Sequence, residues 1–457
     1  MFRKSAKVRS MTSGNIYGHL IAYSVPIFLG RIMQMLYNIV DTIVVGRFIG
    51  TEAMAAVGAT GMITNVTLYL FLGFSVGAGT LVGQIFGSKE KKTLKEAIQT
   101  IIAVSLIISA ALTVIGYPLS NPILRLLKTP DDVFQFASTY LHIYFLGITG
   151  MIIYNIGGEI LRAVGNTTMP LIFLTVSSAI NIVLDLVFVV VFDAGVAGVA
   201  WATTISQLIA AGQVVMVLTT TQEVYRLDWR GIHINSSQLK TILSIGLPSS
   251  IQSVITAFTN LLAQTYINML GSACMAGWSC FNKLLGISMM PVDSFSSASA
   301  AFASQNYGAK QYGRVKEGIR KANVLSFAVS AVISVGMFIF AKSLIGIFTD
   351  DAEAIRFGVL FIRWVVMSML YYCITENLTR AMTGMGDSKG PTAIKLTFYV
   401  GFRLAFLIVL SAFFSITPVA VTLAFTVSWA LGAAALFLYY KIRWANRLPQ
   451  LQAEAYP

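Results

Sequence analysis

Charge is scarce in this chain. Asp, Glu, Lys and Arg make up 11% of its 457 residues, against about 25% in soluble domains. With 56% hydrophobic residues and a mean hydropathy of +0.75, a soluble globular protein is excluded. Cysteine is also rare. Cys274, Cys280 and Cys373 all fall in apolar stretches and form no C-x-x-C pair, which excludes a disulfide framework and a thiolate metal site. The three histidines, His19, His142 and His233, lack metal-ligand spacing. A phosphate loop is missing too. GQIFGSK at 83–89 spaces its residues as G-x-x-x-G-S-K rather than G-x-x-x-x-G-K-[ST], and no ATP-binding domain appears elsewhere. No nucleophile–base set is placed at membrane depth. The chain therefore reads as neither an enzyme nor an ATP-driven pump, with no cofactor.

What is present is long apolar runs. Twelve can be marked, at roughly 16–46, 54–83, 96–118, 134–160, 168–192, 196–220, 241–270, 274–303, 320–344, 355–379, 391–414 and 418–441, each near the ~20 residues that cross a bilayer as a helix. The alternation of a membrane β-barrel is absent. The fold class is therefore an all-α polytopic membrane protein with twelve transmembrane helices. The basic N-terminus (Arg3, Lys4, Lys7, Arg9) leads into an apolar run too long for a cleavable signal. Of 32 Lys and Arg, 23 fall on one side if the N-terminus is inside, 5 on the other and 4 within spans. By the positive-inside rule both termini are expected in the cytoplasm, in the plasma (inner) membrane. The net charge of +13 is spread over loops in this pattern, so no nucleic-acid partner is implied. The expected partners are the lipid bilayer and a small organic molecule, and a monomer is expected.

The chain repeats itself. LVGQIFGSKEKKTLKEA at 81–97 matches FASQNYGAKQYGRVKEG at 302–318, and GNTTMP at 165–170 matches GDSKGP at 386–391, both at an offset of 221. Pro26 and Pro248 open comparable segments, and Gly50 and Gly271 close them. Six segments fit in that offset, so the reading is two parallel six-helix lobes. The lobes span 1–222 and 241–457, joined by a polar cytoplasmic linker at 223–240. Paired lobes of this kind enclose a central cavity and rock about it.

Ionisable groups at membrane depth are functional hypotheses by default. Asp41 lies in LYNIVDTIVVGRF at 36–48, with Tyr37 at i−4 and Gln34 at i−7, one helix face; Asn38 adds a further polar group. Asp185 in NIVLDLVF has Asn181 at i−4, and ATTIS at 202–206 offers Thr203 and Thr204. Carboxyls, an amide and a hydroxyl make a site for a proton, or for Na+ on the oxygens of Asp41, Asn181, Asp185 and Thr203. No other metal is implied. The competing reading is that each acid hydrogen-bonds a neighbouring helix. The repeat argues against it, because at an offset of 221 the acids fall on Leu262 and Phe406.

Other charges divide differently. Glu159 with Arg162, and Glu376 with Arg380, have helical pairing spacing and read as structural ion pairs. Lys283, Asp293 and Arg403 are candidates to line a cavity, with Met289 and Met290 as adaptable apolar contacts. Gly73/Gly77 and Gly79/Gly83 read as close helix packing.

LYNIVDTIVVGRFIGTEAMAAVG at 36–58, LVGQIFG at 81–87, ILRAVGNTTMP at 160–170, NIVLD at 181–185, GVAGVAWATTISQ at 195–207 and SQNYGA at 304–309 together resemble the MATE family, the multidrug and toxic compound extrusion transporters. The resemblance covers essentially the whole chain. It implies twelve helices in two lobes around a V-shaped cavity, and antiport in which H+ or Na+ enters while an organic, often cationic, compound leaves. Asp41, Asn181, Asp185 and Thr203 match the N-lobe cation site of the DNA-damage-inducible and archaeal branch, with Tyr37 beside it. A second branch uses acids in helices 7 and 10; here helix 7 carries Gln252 and Gln264 instead. The alternative is a flippase for a lipid-linked sugar, which would want a more cationic cavity for a diphosphate. Arg31, Lys283 and Arg403 keep that alternative open.

Overall fold

Long helices account for nearly all of the chain. The computed structural model describes residues 9–413 and 417–455, so the expected basic residues Arg3, Lys4 and Lys7 lie outside the described residues. In chain order the helices are α1 Ile16–Ile49, α2 Thr51–Ser88, α3 Lys91–Leu126, α4 Asp131–Ala163, α5 Thr168–Val191, α6 Gly195–Thr220 and α7 Ser236–Asn268. They continue with α8 Ser272–Gly308, α9 Tyr312–Ile339, α10 Ala352–Gly384, α11 Lys389–Phe413 and α12 Pro418–Ala455. Among the described residues there is no strand. Eleven of the twelve are long and apolar enough to cross a membrane. The exception is α8, whose 37 residues suffice in length, but Lys283, Asp293 and a run of serines dilute its apolar surface.

The chain divides into two units. The first holds Met1–Ser10 and Pro26–Leu243, the second Met11–Val25 and Ser244–Pro457. In the first, α2, α3, α4 and α5 share an apolar core that includes Phe71, Ile98, Ile152 and Phe173. In the second, Phe281, Phe361 and Phe425 pack around Trp278 in tilted and edge-to-face contacts. A smaller cluster around Ile319, Met382 and Leu448 completes that unit.

The repeat is legible in the backbone. Gly50 and Gly271 carry φ of 118° and 93°, Gly165 and Gly386 of 88° and 97°, and Lys89 and Lys310 of 63° and 58°. Each pair is 221 apart. At Gly165 and Gly386 the chain leaves a helix through the left-handed region, where a side chain is disfavoured; this is the structural content of GNTTMP and GDSKGP. Pro26 and Pro248 lie inside α1 and α7, 222 apart. The matched Gln305 and its neighbour Asn306 in SQNYGA have a local task. Gln305 Oε1 accepts from Met11 N–H (2.9 Å), while Asn306 and Arg314 donate to the Met11 carbonyl (3.3, 3.2 and 3.1 Å).

The polar stretch after α6 docks on α3. Lys95 Nζ reaches Asp228 Oδ2 at 2.9 Å, Asn235 N–H donates to Thr100 Oγ1 at 3.0 Å, and Gln238 donates to the Thr93 carbonyl at 3.3 Å. The Lys95 ammonium beside Asp228 holds that carboxyl below the usual carboxylate range.

Candidate functional site

Four helices of the first unit meet at the two acids. α4 and α6 come together because α4 presents glycines on one face. A methyl group on Gly147 would lie 2.3 Å from Thr204, on Gly150 2.9 Å from the Leu208 backbone, and on Gly157 1.9 Å from Val214. This small-residue seam brings Thr203 and Thr204 of α6 beside Tyr140 and Tyr144 of α4, where the four line a narrow cleft with Gln207. The Gly79 expectation also holds in kind: a methyl there would lie 2.7 Å from the Glu159 side chain.

Asp41 and Asp185 face one another, their carboxyls within hydrogen-bonding reach across α1 and α5. Asp185 and Asn181 are 0% and 1% exposed. The Asn181 amide bridges α5 to α6. In the orientation that satisfies both its ends, its nitrogen donates to Asp185 Oδ2 (3.0 Å) and its oxygen accepts from Thr203 N–H (3.2 Å). Tyr37 Oη lies 3.4 Å from Thr203 Oγ1. Each acid keeps one buried oxygen, Oδ1, with no donor among the described residues. Two carboxyl groups in contact need a proton or a cation between them, and an orphaned buried acceptor away from water is costly. This arrangement can hold one small positive charge.

All five residues expected at this site are brought together: Tyr37, Asp41, Asn181, Asp185 and Thr203. Tyr140 is a sixth, from α4, beside Thr203 in the cleft. The sequence carried no signal for it, since a tyrosine in a membrane helix is ordinary. Two residues beyond Asp185 the helix passes into a π turn, Val187–Val191, a form often found at functional positions. Gln34 and Asn38 are exposed on α1 and do not join the cluster.

The candidates for a cavity lining in the second unit are not gathered into one place. Lys283 lies over the Phe348 ring (5.4 Å), Asp293 accepts from Tyr372 Oη (3.5 Å), and Met289 packs against the apolar core; Met290 is half-buried. Arg403 is 2% exposed and contacts Ser428 and Asn260. The two expected ion pairs fare differently. Arg162 meets Glu159 at 2.8 Å as its spacing implies. Glu376 forms a buried pair with Lys395 of α11 at 2.5 Å, a partner that helical spacing does not predict.

The comparisons with known proteins agree with this architecture. The MatE family model matches residues 26–187 and again 248–409, two copies 222 apart. The "Probable multidrug resistance protein YpnP" of Bacillus subtilis (strain 168) is 27% identical over 96% of this chain and 98% of its own. The "Multidrug export protein MepA" of Staphylococcus aureus (strain MSSA476) is 23% identical over 93% and 94%. Among solved structures, a MATE protein in the bent conformation superposes with a TM-score of 0.91 at 19% identity, over 97% of this chain and 98% of that one. An outward-facing multidrug resistance MATE family transporter of the MOP superfamily gives 0.89, also at 19% identity, over 97% and 98%. With its two matched copies spanning more than two thirds of its length, this multi-pass membrane chain belongs to the MATE family of transporters.

Proposed function

We propose that the protein is a secondary antiporter that exports organic, often cationic, drugs or toxic compounds in exchange for H+ or Na+. The observation that carries this reading is the pair of facing acids, Asp41 and Asp185, each with an orphaned buried oxygen. With no cation between them the two charges repel and their helices are held apart. A proton or Na+ between them removes that repulsion, and Asn181, Thr203 and Tyr37 complete the coordination. The ion then shifts the balance between two conformations by the difference in its affinity for them. That difference is the coupling, delivered through alternating access, and a coupling of about 2.7 kcal/mol corresponds to about a hundredfold in affinity.

In this reading the protein acts as a monomer in the plasma membrane, with both termini cytoplasmic and with lobes 1–222 and 241–457 joined by 223–240. It falls in the branch of the family that includes the DNA-damage-inducible and archaeal members. Gln34, Asn38, Met289, Met290, Lys283, Asp293 and Arg403 remain candidates for substrate contact. The relatives named as multidrug export and multidrug resistance proteins support the substrate class.

The test uses liposomes preloaded with a fluorescent cationic dye, holding wild type or Asp41→Asn, with a pH gradient and a sodium gradient imposed separately. Wild type should move dye under one gradient, and Asp41→Asn should not, at equal insertion. Equal transport by Asp41→Asn would make the acid structural. No transport by wild type under either gradient would reject the substrate class.

A further inference from the structure

The second unit holds a buried cation where the first holds two acids. Arg403 of α11 is 2% exposed. Its Nε and Nη2 donate to Ser428 Oγ of α12 at 3.2 and 3.1 Å, and its Nη1 donates to Asn260 Oδ1 of α7 at 3.3 Å. The guanidinium carbon sits 4.0 Å above the Phe425 ring, which fixes the plane of the group. All these partners are neutral. Among the described residues no carboxylate forms an ion pair with Arg403.

An arginine has five N–H donors and cannot shed its charge. Three are used here. One on each terminal nitrogen has no acceptor among the described residues. Two remaining donors on one planar guanidinium suit the oxygens of a carboxylate. An uncompensated charge at membrane depth is expensive unless something pairs with it.

The position is not arbitrary. In the first unit the acids and their hydroxyl come from the first, fifth and sixth helices: Asp41, Asp185 and Thr203. In the second unit the equivalent helices supply Asn260, Arg403 and Ser428. At the offset of 222 that separates the two matched copies, the first set maps to 263, 407 and 425. The second set stands 3, 4 and 3 residues away, about one helical turn. Neighbouring spans run antiparallel, so all three displacements are toward the same end of the helices. The two sites therefore occupy matching places with opposite charge.

Access comes by way of Asn260. It is exposed on α7 among exposed Phe258, Leu261 and Leu262. An amide turned to hydrocarbon would go unsatisfied, so Asn260 is the end of the cluster at which a polar ligand would enter.

We propose that Arg403, with Asn260 and Ser428, is an anion site that takes the carboxylate of a transported zwitterionic or anionic organic compound. This deepens the exporter reading and rests on it, because it assigns a site to the carboxylate of those organic substrates that carry one.

The experiment compares two dyes that share one ring system: rhodamine B, with a free carboxylate, and its ethyl ester. Binding to full-length protein in detergent micelles is read by fluorescence anisotropy against empty micelles. Wild type should favour the acid over the ester by at least about tenfold. Arg403→Gln should bring that ratio close to one, and Arg403→Lys, which keeps the charge but not the paired donors, should lie between. If Arg403→Gln does not elute as a single species, the wild-type and Arg403→Lys ratios decide. A wild-type ratio near one, or the same ratio in the variants, overturns the carboxylate site and leaves the exporter reading intact. Failure of both dyes to bind wild type rejects the two together.

Discussion

The two units share a backbone plan and differ in the charge they bury. In the first, Asp41 and Asp185 meet beside Tyr37, Asn181 and Thr203, with Tyr140 lining the adjoining cleft. In the second, Arg403 lies on Phe425 and its polar contacts are neutral, while about two turns earlier on α11 Lys395 pairs with Glu376 of α10. Both units are packed and both close their helices at matching glycines. The buried charges are therefore not needed to make the fold, and the difference between the units is a difference of task. In the proposed reading the first unit gains and loses a small cation, while the second holds the buried Arg403 and the Glu376–Lys395 pair.

The sharpest way to break this comparison is Asp185→Asn. Gradient-driven export in liposomes should fall by about a hundredfold or more, the loss expected if a coupling of about 2.7 kcal/mol disappears. The amount of monodisperse protein should be unchanged. Retention of gradient-driven export would move the coupling out of the first unit.

Glu376→Gln tests the other side. It leaves Lys395 buried without its partner, so thermal unfolding in detergent should show a loss of about 3–5 kcal/mol. Gradient dependence of export should persist per folded molecule. The double variant Glu376→Gln/Lys395→Met should recover much of the stability. A loss of gradient dependence in Glu376→Gln would assign ion coupling to both units.

Gly150→Ala probes the seam that carries Thr203 to the acids. The added methyl meets the Leu208 backbone at 2.9 Å, which cannot rotate away, so a loss of about 1–3 kcal/mol is expected. Gly212→Ala on α6, where nothing lies within 4 Å, should be neutral or stabilising by about 0.5–1 kcal/mol. Equal unfolding temperatures for the two variants would remove the seam from the account. The smallest effect is expected at Asp228→Asn, which breaks the exposed Lys95 contact. Because that contact lowers the carboxyl's affinity for protons, any contribution is present at neutral pH and disappears as pH falls through the lowered value. No change in unfolding temperature at neutral pH is expected.

The acid site was legible in the sequence because charge in an apolar run is rare, and because i, i+4 spacing places two polar groups on one face. Asp41 with Tyr37 and Asp185 with Asn181 needed nothing more. The internal repeat gave the two-part plan, since its motifs mark helix ends whose backbone has to turn the same way twice. What sequence could not supply was which helix lies beside which. Tyr140 lines a cleft with Thr203, and Lys395 meets Glu376, across helix contacts set by packing. Those contacts depend on features such as the glycines of α4, whose spacing names a close approach but not the partner. The scattered fates of Lys283, Asp293 and Arg403 have the same cause. Being at membrane depth is readable from sequence; direction around a helix axis relative to unknown neighbours is not.

One detail of the helices accounts for a small mismatch in the repeat. The offset is 222 between Pro26 and Pro248, yet 221 between Gly50 and Gly271, so α1 contains one residue more than α7 between these marks. α1 ends in a π turn, Val45–Ile49, and α7 shows none. A π turn accommodates one surplus residue without breaking the rod. The reverse holds later. Gly165 and Gly386 are 221 apart, whereas the matched copies end at 187 and 409, and between those marks α11 carries the π stretch Leu396–Phe402. Single-residue insertions have thus been absorbed as bulges, one in each copy. An insertion into an unbroken α-helix would swing every later side chain by about 100°; the wide turn takes up that rotation, so the residues beyond it keep their direction at the new offset. Arg403, the first residue after Leu396–Phe402, thereby takes the place that Asn181 holds in the first copy.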